Sequence, residues 1–75
     1  MILPSKHIRA EQTLLGVGAV LLQELRRPCT VSSLWEKARR NAVVGPFERF
    51  VLALDMLYLL GAVTITEGLI EKVAE

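Results

Sequence analysis

The spacing of the apolar residues changes at Gly61. Before it, three segments repeat their apolar residues every three to four positions, as amphipathic helices do. After it, "VTIT" at residues 63–66 alternates in polarity and is rich in β-branched residues, as strands are. The order of these elements predicts a mainly α, α+β fold, namely a small winged helix-turn-helix of three helices followed by a short β-hairpin.

The last residues of the chain have two interpretations. Glu67 and Gly68 suit a two-residue turn, after which "LIEKV" returns as the second strand of the hairpin. The same residues 69–73 can instead form a short helical tail.

The first helix is predicted from Arg9 to Arg26, and residues 1–8 are predicted to form an extended N-terminal arm. Pro4 lies in this arm and biases the residue before it toward extended geometry. Residues 9–75 are then a single winged-helix domain. The helix carries two apolar stripes, formed by Leu14, Gly18, Leu21 and Leu25 and by Leu15, Ala19 and Leu22. A helix that is apolar around most of its circumference is expected to be surrounded by other elements.

Capping residues delimit the other two helices. Thr30 is the predicted N-cap of the second helix, "VSSLWEKARR", in which Glu36 and Arg40 have a spacing that favours an ion pair. Pro46 is predicted at the first position of the third helix, and Gly61 ends that helix as a left-handed C-cap. The predicted inward-facing residues of the third helix are Phe47, Phe50, Val51, Leu54, Leu57 and Tyr58.

The composition indicates that the protein has a partner. The 75 residues are enough for one small domain, which buries only roughly 60% of its unfolded surface. Hydrophobic residues make up 52% of the chain, and five glycines raise the apolar share above the usual ~45–50%. An apolar face left exposed after folding usually marks an interaction surface. A second copy of the chain or another protein is therefore expected to cover it.

Three observations favour a cytoplasmic protein. Cys29 is the only cysteine, so no disulfide forms within the chain and a reducing compartment is expected. The segment "MILPSKHIRAEQ" lacks the basic stretch and apolar run of a signal peptide. The longest apolar block, at residues 14–22, is far shorter than the ~20 residues that span a bilayer, so no membrane partner is expected.

Residues suited to catalysis or metal binding are too few to predict an enzyme. His7 is the sole histidine and is distant in sequence from Cys29. A metal site requires several His, Cys or carboxylate ligands at characteristic spacing, and the sequence contains no such set. Gly16 and Gly18 lack the third glycine of a phosphate-binding loop and fall inside a helix, where close helix packing explains them. We predict a non-enzymatic protein without a cofactor or metal.

Nucleic-acid binding has partial support from five basic residues near the end of the first helix and along the second. These candidate phosphate contacts are Arg26, Arg27, Lys37, Arg39 and Arg40. The net charge is nevertheless only +1, whereas nucleic-acid modules are usually strongly basic. The same residues can simply form a solvated face. Contact with DNA is therefore expected to be weak or indirect.

The outward face of the third helix suits a protein partner better than DNA. Base readout needs Arg, Lys, Asn or Gln side chains, but most of the outward positions are acidic or apolar: Glu48, Arg49, Leu52, Asp55, Met56 and Leu59. Leu52, Met56 and Leu59 are spaced i, i+4 and i+7, and apolar residues ringed by mixed charges are typical of protein interfaces. We predict that this stripe binds a partner together with Arg49 and Asp55. The alternative is that the first helix or the arm covers it.

Four segments of the chain resemble middle component 6 of the bacterial ABC-three-component systems: "ILPSKHI", "LLGVGAVLL", "TVSSLWEKAR" and "FERFVLALDMLYLLGAV". The resemblance covers nearly the whole chain. It implies an adaptor between an SMC/Rad50-like ABC ATPase and an effector subunit, in systems associated with defence against phages and other mobile DNA. ATP and nucleic acid would then be handled mainly by the ATPase, and no catalytic residue carries over to this chain.

The alternative function is a homodimeric winged-helix DNA-binding transcriptional regulator. In that case the second helix and the neighbouring Arg26 and Arg27 would hold phosphates. Tight binding of the isolated chain to duplex DNA, strongly weakened by salt, would favour the regulator over the adaptor.

Overall fold

The computed structural model describes residues 5–73 of the chain, with side chains for residues 14–73. Its elements are α1 (Ser5–Glu24), α2 (Val31–Ala38), α3 (Phe47–Leu59), β1 (Val63–Thr66) and β2 (Leu69–Lys72). The two strands pair antiparallel. The predicted order of three helices followed by a hairpin is confirmed, and it is that of a small winged-helix-like α+β fold.

α1 begins at Ser5, earlier than the predicted start at Arg9. The predicted extended arm is therefore wrong at residues 5–8, which are helical, while residues 1–4 lie outside the described residues. The physical reason is that a proline restricts its own backbone and that of the residue before it, but a helix can begin directly after it.

α2 begins where the sequence predicts, at the N-cap Thr30. The Thr30 Oγ1 atom accepts a hydrogen bond from a backbone N–H in the first turn of α2 at 3.1 Å. The helix ends at Ala38, and the next two residues form a turn. Arg40 is thus outside the helix, and Glu36 pairs instead with Arg39 (Nε to Oε1 3.2 Å), which corrects the predicted pairing.

α3 is delimited by the predicted proline and glycine. Pro46 stands one position earlier than predicted, as the N-cap, with an extended backbone that leads into Phe47. The helix ends at Leu59, and Gly61 has a φ of +80°, a left-handed conformation that favours glycine. The Gly61 N–H donates to the Tyr58 carbonyl at 3.0 Å. The predicted left-handed C-cap is confirmed.

The hairpin turn consists of the two predicted residues. Glu67 and Gly68 both have positive φ, 53° and 79°, as two-residue hairpin turns of the mirror-image type require. Thr66 pairs with Leu69 directly across the turn. The second strand is confirmed, and the alternative of a helical tail is wrong.

A single rung of backbone hydrogen bonds connects the segment between α1 and α2 to the hairpin. The Cys29 N–H donates to the Ile70 carbonyl at 3.1 Å, and the Ile70 N–H donates to the Cys29 carbonyl at 2.7 Å. Both side chains are buried. Cys29 therefore extends the sheet by one residue and holds the inner side of the hairpin against the helices.

The core lies between the three helices and the hairpin. Its largest fully buried side chains are Phe50, Leu21, Leu25, Leu34, Ile70, Val17, Val44 and Val63. Trp35 packs at the edge of this core, with ring centroids 5.2 Å from Phe50 and 5.0 Å from Phe47. The burial of Val44 explains why the connection between α2 and α3 is apolar.

α1 and α3 approach each other closely at Gly18. A Cβ atom placed on Gly18 would lie 3.0 Å from the Cε atom of Met56 and 3.3 Å from the Cδ2 atom of Leu57. The lack of a side chain at Gly18 therefore permits this approach. At Gly16 the nearest atom is Cγ1 of Val43, at an ordinary 3.7 Å.

Candidate protein-binding interface

The rotation of α3 about its axis decides which residues face solvent. Phe50, Leu54 and Leu57 are buried as predicted, and Ala53 is buried with them. The other three residues predicted to face inward are exposed, and that part of the prediction is wrong: Phe47, Val51 and Tyr58. The reason is that α3 contacts α1 through Leu57 and Met56 at Gly18, which turns the side with Phe50, Ala53 and Leu57 inward.

The residues predicted to bind a partner occupy three different environments. Leu52 and Leu59 are 56% and 83% exposed, and Asp55 between them is also exposed. Met56 is half-buried and packs against the core beside Gly18. Leu52 and Leu59 therefore flank a methionine that belongs in part to the core.

Arg49, the fifth of these residues, lies away from the outer side of α3. It is half-buried, and its Nη1 atom is 3.0 Å from the position of a Cβ atom placed on Gly45. The guanidinium thus covers the loop that precedes α3. The whole of α3 is described, and no other residue of it is basic.

α1 presents an apolar flank that no other described element covers. Leu15 is 57% exposed, Ala19 is exposed, and Leu22 is half-buried. The prediction that α1 is surrounded is therefore wrong within residues 14–73. Leu15 and Leu22 lie next to the place where α3 contacts α1 at Gly18, but α3 does not cover them.

The exposed flanks of α1 and α3 meet at the Gly18–Met56 contact. Leu15 and Leu22 lie three and four positions from Gly18, so they share its side of α1. In the same way Leu52 and Leu59 lie four and three positions from Met56 on α3. The five apolar residues that border this contact form one surface, which we call the α1–α3 face: Leu15, Leu22, Leu52, Met56 and Leu59.

Two carboxylates run along the α3 side of this face. Glu48 and Asp55 are exposed and seven residues apart, so they lie on the same side of the helix, two turns from each other. Beyond them, the exposed Phe47 and Val51 continue the apolar surface, and a shallow depression there is lined by Phe47, Glu48, Val51 and Leu52. The outer side of α3 is therefore apolar and acidic.

The predicted phosphate contacts separate into a group of four and a single residue. Arg26, Arg27, Lys37 and Arg40 line two adjoining depressions where α1 and α2 end. Glu24 lines both depressions and partly offsets their positive charge. Arg39 instead forms the ion pair of α2 described above.

The described residues contain no group of three or more His, Cys, Asp or Glu side chains that could hold a metal ion. Within the same residues, no helix is long and apolar enough to cross a membrane. Cys29 is a free, buried cysteine.

A comparison with family models identifies the chain. The model described as ABC-three component (ABC-3C) system Middle Component 6 matches residues 3–73. The chain belongs to this family. The resemblance seen in the sequence is thereby confirmed, and a middle component of a multi-component system has other components as partners. No curated protein and no solved structure matches the chain.

Two parts of the candidate interface of this Middle Component 6 protein are not predicted by its sequence. The sequence predicts that another element covers Leu15 and Leu22, and it does not mark Glu48 as a partner-binding residue. The i, i+7 spacing of Glu48 and Asp55 was a signal for the acidic edge. No comparable signal marks the α1 flank, because its exposure depends on where α3 packs.

Proposed function

We propose that this Middle Component 6 chain is a non-enzymatic adaptor that links an SMC/Rad50-like ABC ATPase to an effector subunit. The system would act in defence against phages or other mobile DNA. The observation that supports the adaptor role is the α1–α3 face, because it leaves large apolar side chains in water in a small domain. Membership of a multi-component system supports the proposal that the partner is another component of that system.

The chemistry of the face favours a protein partner over DNA. Leu52 and Leu59 offer apolar area, and Glu48 and Asp55 repel phosphate groups. Base edges are read by Arg, Lys, Asn and Gln, and Arg49, the one such residue of α3, covers the preceding loop. The helix that reads bases in many winged-helix proteins is thus suited here to a protein surface.

Co-purification tests the adaptor role. The tagged chain is co-expressed with the other components of its system, and the ATPase recovered is compared between the native chain and Leu52→Asp/Leu59→Asp. We expect recovery to fall at least tenfold, because burying two unpaired carboxylates in an apolar contact is strongly unfavourable.

The control is Val43→Asp, which places one carboxylate at an exposed apolar position outside the α1–α3 face. Val43 is 48% exposed, and it faces Gly16 on the side of α1 away from Gly18. This variant should retain the ATPase, and thermal unfolding should show that all variants remain folded. Full recovery of the ATPase with Leu52→Asp/Leu59→Asp would contradict the proposal.

The defence role has its own test. Cells that carry the complete system are challenged with a panel of phages, and the efficiency of plating is measured. The Leu52→Asp/Leu59→Asp variant should restore plating to the level of cells without the system, whereas Val43→Asp should leave protection unchanged. A complete system that protects against no phage or plasmid would contradict a role in defence.

The alternative function is the homodimeric DNA-binding regulator. It is favoured by the clustering of Arg26, Arg27, Lys37 and Arg40 around the two depressions where α1 and α2 end. A titration of the isolated chain with duplex DNA at two salt concentrations tests it. Weak binding is expected under the adaptor proposal, whereas tight and steeply salt-dependent binding would favour the regulator.

A further inference from the structure

We infer that the α1–α3 face receives a basic amphipathic helix of a partner protein. Its apolar side would lie over Met56, and its Lys or Arg side chains would lie along the edge formed by Glu48 and Asp55. This inference rests on the adaptor function proposed above and adds the chemical class of the segment that binds.

A helix fits this face better than an extended segment does. The face is bordered by α1 and α3, whose backbone N–H and C=O groups are already paired within the helices. An extended segment gains its main-chain hydrogen bonds at an exposed sheet edge, which these helices do not offer. A helix satisfies its own backbone and can place its side-chain ridges into the groove between two others.

The charge of the bound helix follows from the acidic edge. Glu48 and Asp55 are both exposed, and neither forms an ion pair within residues 14–73. The opposite edge of the face, on α1, has the uncharged Ala19 and Gln23. Positive charge is therefore favoured on only one flank of the bound helix.

The spacing of the two carboxylates gives the sequence pattern of the segment. Seven residues of α-helix correspond to a rise of about 10.5 Å. A helix packed alongside α3 would match this rise with Lys or Arg residues seven positions apart. Its apolar residues should recur at i, i+3, i+4 and i+7 on the neighbouring side.

A second copy of this chain is a poorer occupant of the same face. A symmetric dimer would bring Glu48 and Asp55 of both copies to one interface, and α3 has no exposed basic residue there to offset them. Carboxylates close to one another repel, which disfavours self-association through this face.

The inference is tested with overlapping 20-residue peptides that cover the other components of the same system. Binding of the folded, full-length chain to each peptide is measured by fluorescence anisotropy. We expect the tightest peptides to be amphipathic, with Lys or Arg on one flank. Glu48→Lys/Asp55→Lys should weaken their binding about tenfold, because two exposed ion pairs are replaced by contacts between like charges.

The matched control is Glu67→Lys/Glu71→Lys, which makes the same change in net charge on the exposed side of the hairpin. It should change the affinity less than twofold. Peptides in which the basic flank is changed to Glu should bind the native chain weakly and recover affinity with Glu48→Lys/Asp55→Lys. Such a recovery would identify the charge contact itself.

Three results would overturn the inference. They are peptides bound without a basic flank, equal effects of the two charge-reversed variants, and a dimer of the chain that Leu52→Asp dissociates.

The adaptor proposal can fail independently of this inference. If basic helices bind but come only from components other than the ATPase, the inference stands and the ATPase link fails. If Leu52→Asp/Leu59→Asp abolishes co-purification while Glu48→Lys/Asp55→Lys has no effect, the adaptor stands and the basic helix is refuted.

Discussion

The close approach of α1 and α3 predicts opposite outcomes for two neighbouring glycines. Gly16 and Gly18 both lie inside α1, so replacing either with alanine should gain about 1 kcal/mol of helix propensity. At Gly16 the added methyl group would meet only Val43, at an ordinary 3.7 Å. Gly16→Ala should therefore raise the free energy of unfolding by about 1 kcal/mol, which corresponds to roughly 4–8 °C in Tm.

At Gly18 the same methyl group meets the packed interface. It would lie 3.0 Å from Cε of Met56 and 3.3 Å from Cδ2 of the buried Leu57. The terminal Cε of the half-buried Met56 can move aside, whereas the buried Leu57 must shift by a few tenths of an ångström. The cost should therefore be about 1 kcal/mol, the low end of what overpacking usually costs. Because the propensity gain is the same at both positions, Gly18→Ala should be less stable than Gly16→Ala by that amount.

Chemical denaturation at 25 °C, fitted to a two-state transition, measures the difference. Met56→Ala removes the closer of the two contacts, so Gly18→Ala should be less harmful in that background, with a coupling of about 0.5–1 kcal/mol. Equal stabilisation by Gly16→Ala and Gly18→Ala would contradict the predicted overpacking, because it would show that the Met56 and Leu57 side chains accommodate the methyl group without cost.

Three further changes test local features by thermal and chemical unfolding. Thr30→Ala removes the side-chain acceptor at the start of α2 and should lower the free energy of unfolding by about 1 kcal/mol, whereas Thr30→Ser should have little effect. Glu67→Asn should raise the free energy of unfolding by roughly 0.5–1 kcal/mol, because asparagine tolerates the positive φ of this turn position better than glutamate does. Phe50→Ala leaves a cavity beside Trp35 and should cost about 3–5 kcal/mol, and a loss below 1 kcal/mol would show that Phe50 is not in the core.

Features that depend on local chemistry were predictable from the sequence. The side-chain cap of Thr30, the left-handed Gly61 and the turn at Glu67 and Gly68 each follow from what one or two residues favour. The order of elements followed from these boundaries and from the change of apolar spacing. The predicted start of α1 at Arg9 is wrong because Pro4 restricts the residue before it and not the residues after it.

The rotation of α3 was not predictable in the same way. Apolar residues occur on nearly every side of this helix, so its periodicity alone does not select the buried side. The choice depends on contacts distant in sequence, the approach of α1 at Gly18 and the packing of Trp35 on Phe50. For the same reason the sequence predicted the exposure of Leu52 and Leu59 on α3 but not that of the Leu15 flank of α1.

The rung between Cys29 and Ile70 has a consequence for the order of folding. It closes a loop that contains α2, α3 and β1, so its two hydrogen bonds become stable only when the packing of these elements offsets the entropy of closing that loop. An isolated two-stranded hairpin is only marginally stable in water, so the hairpin depends on this late connection. The amide protons of Cys29 and Ile70 should consequently exchange with solvent together, and their protection reports that the whole domain is closed.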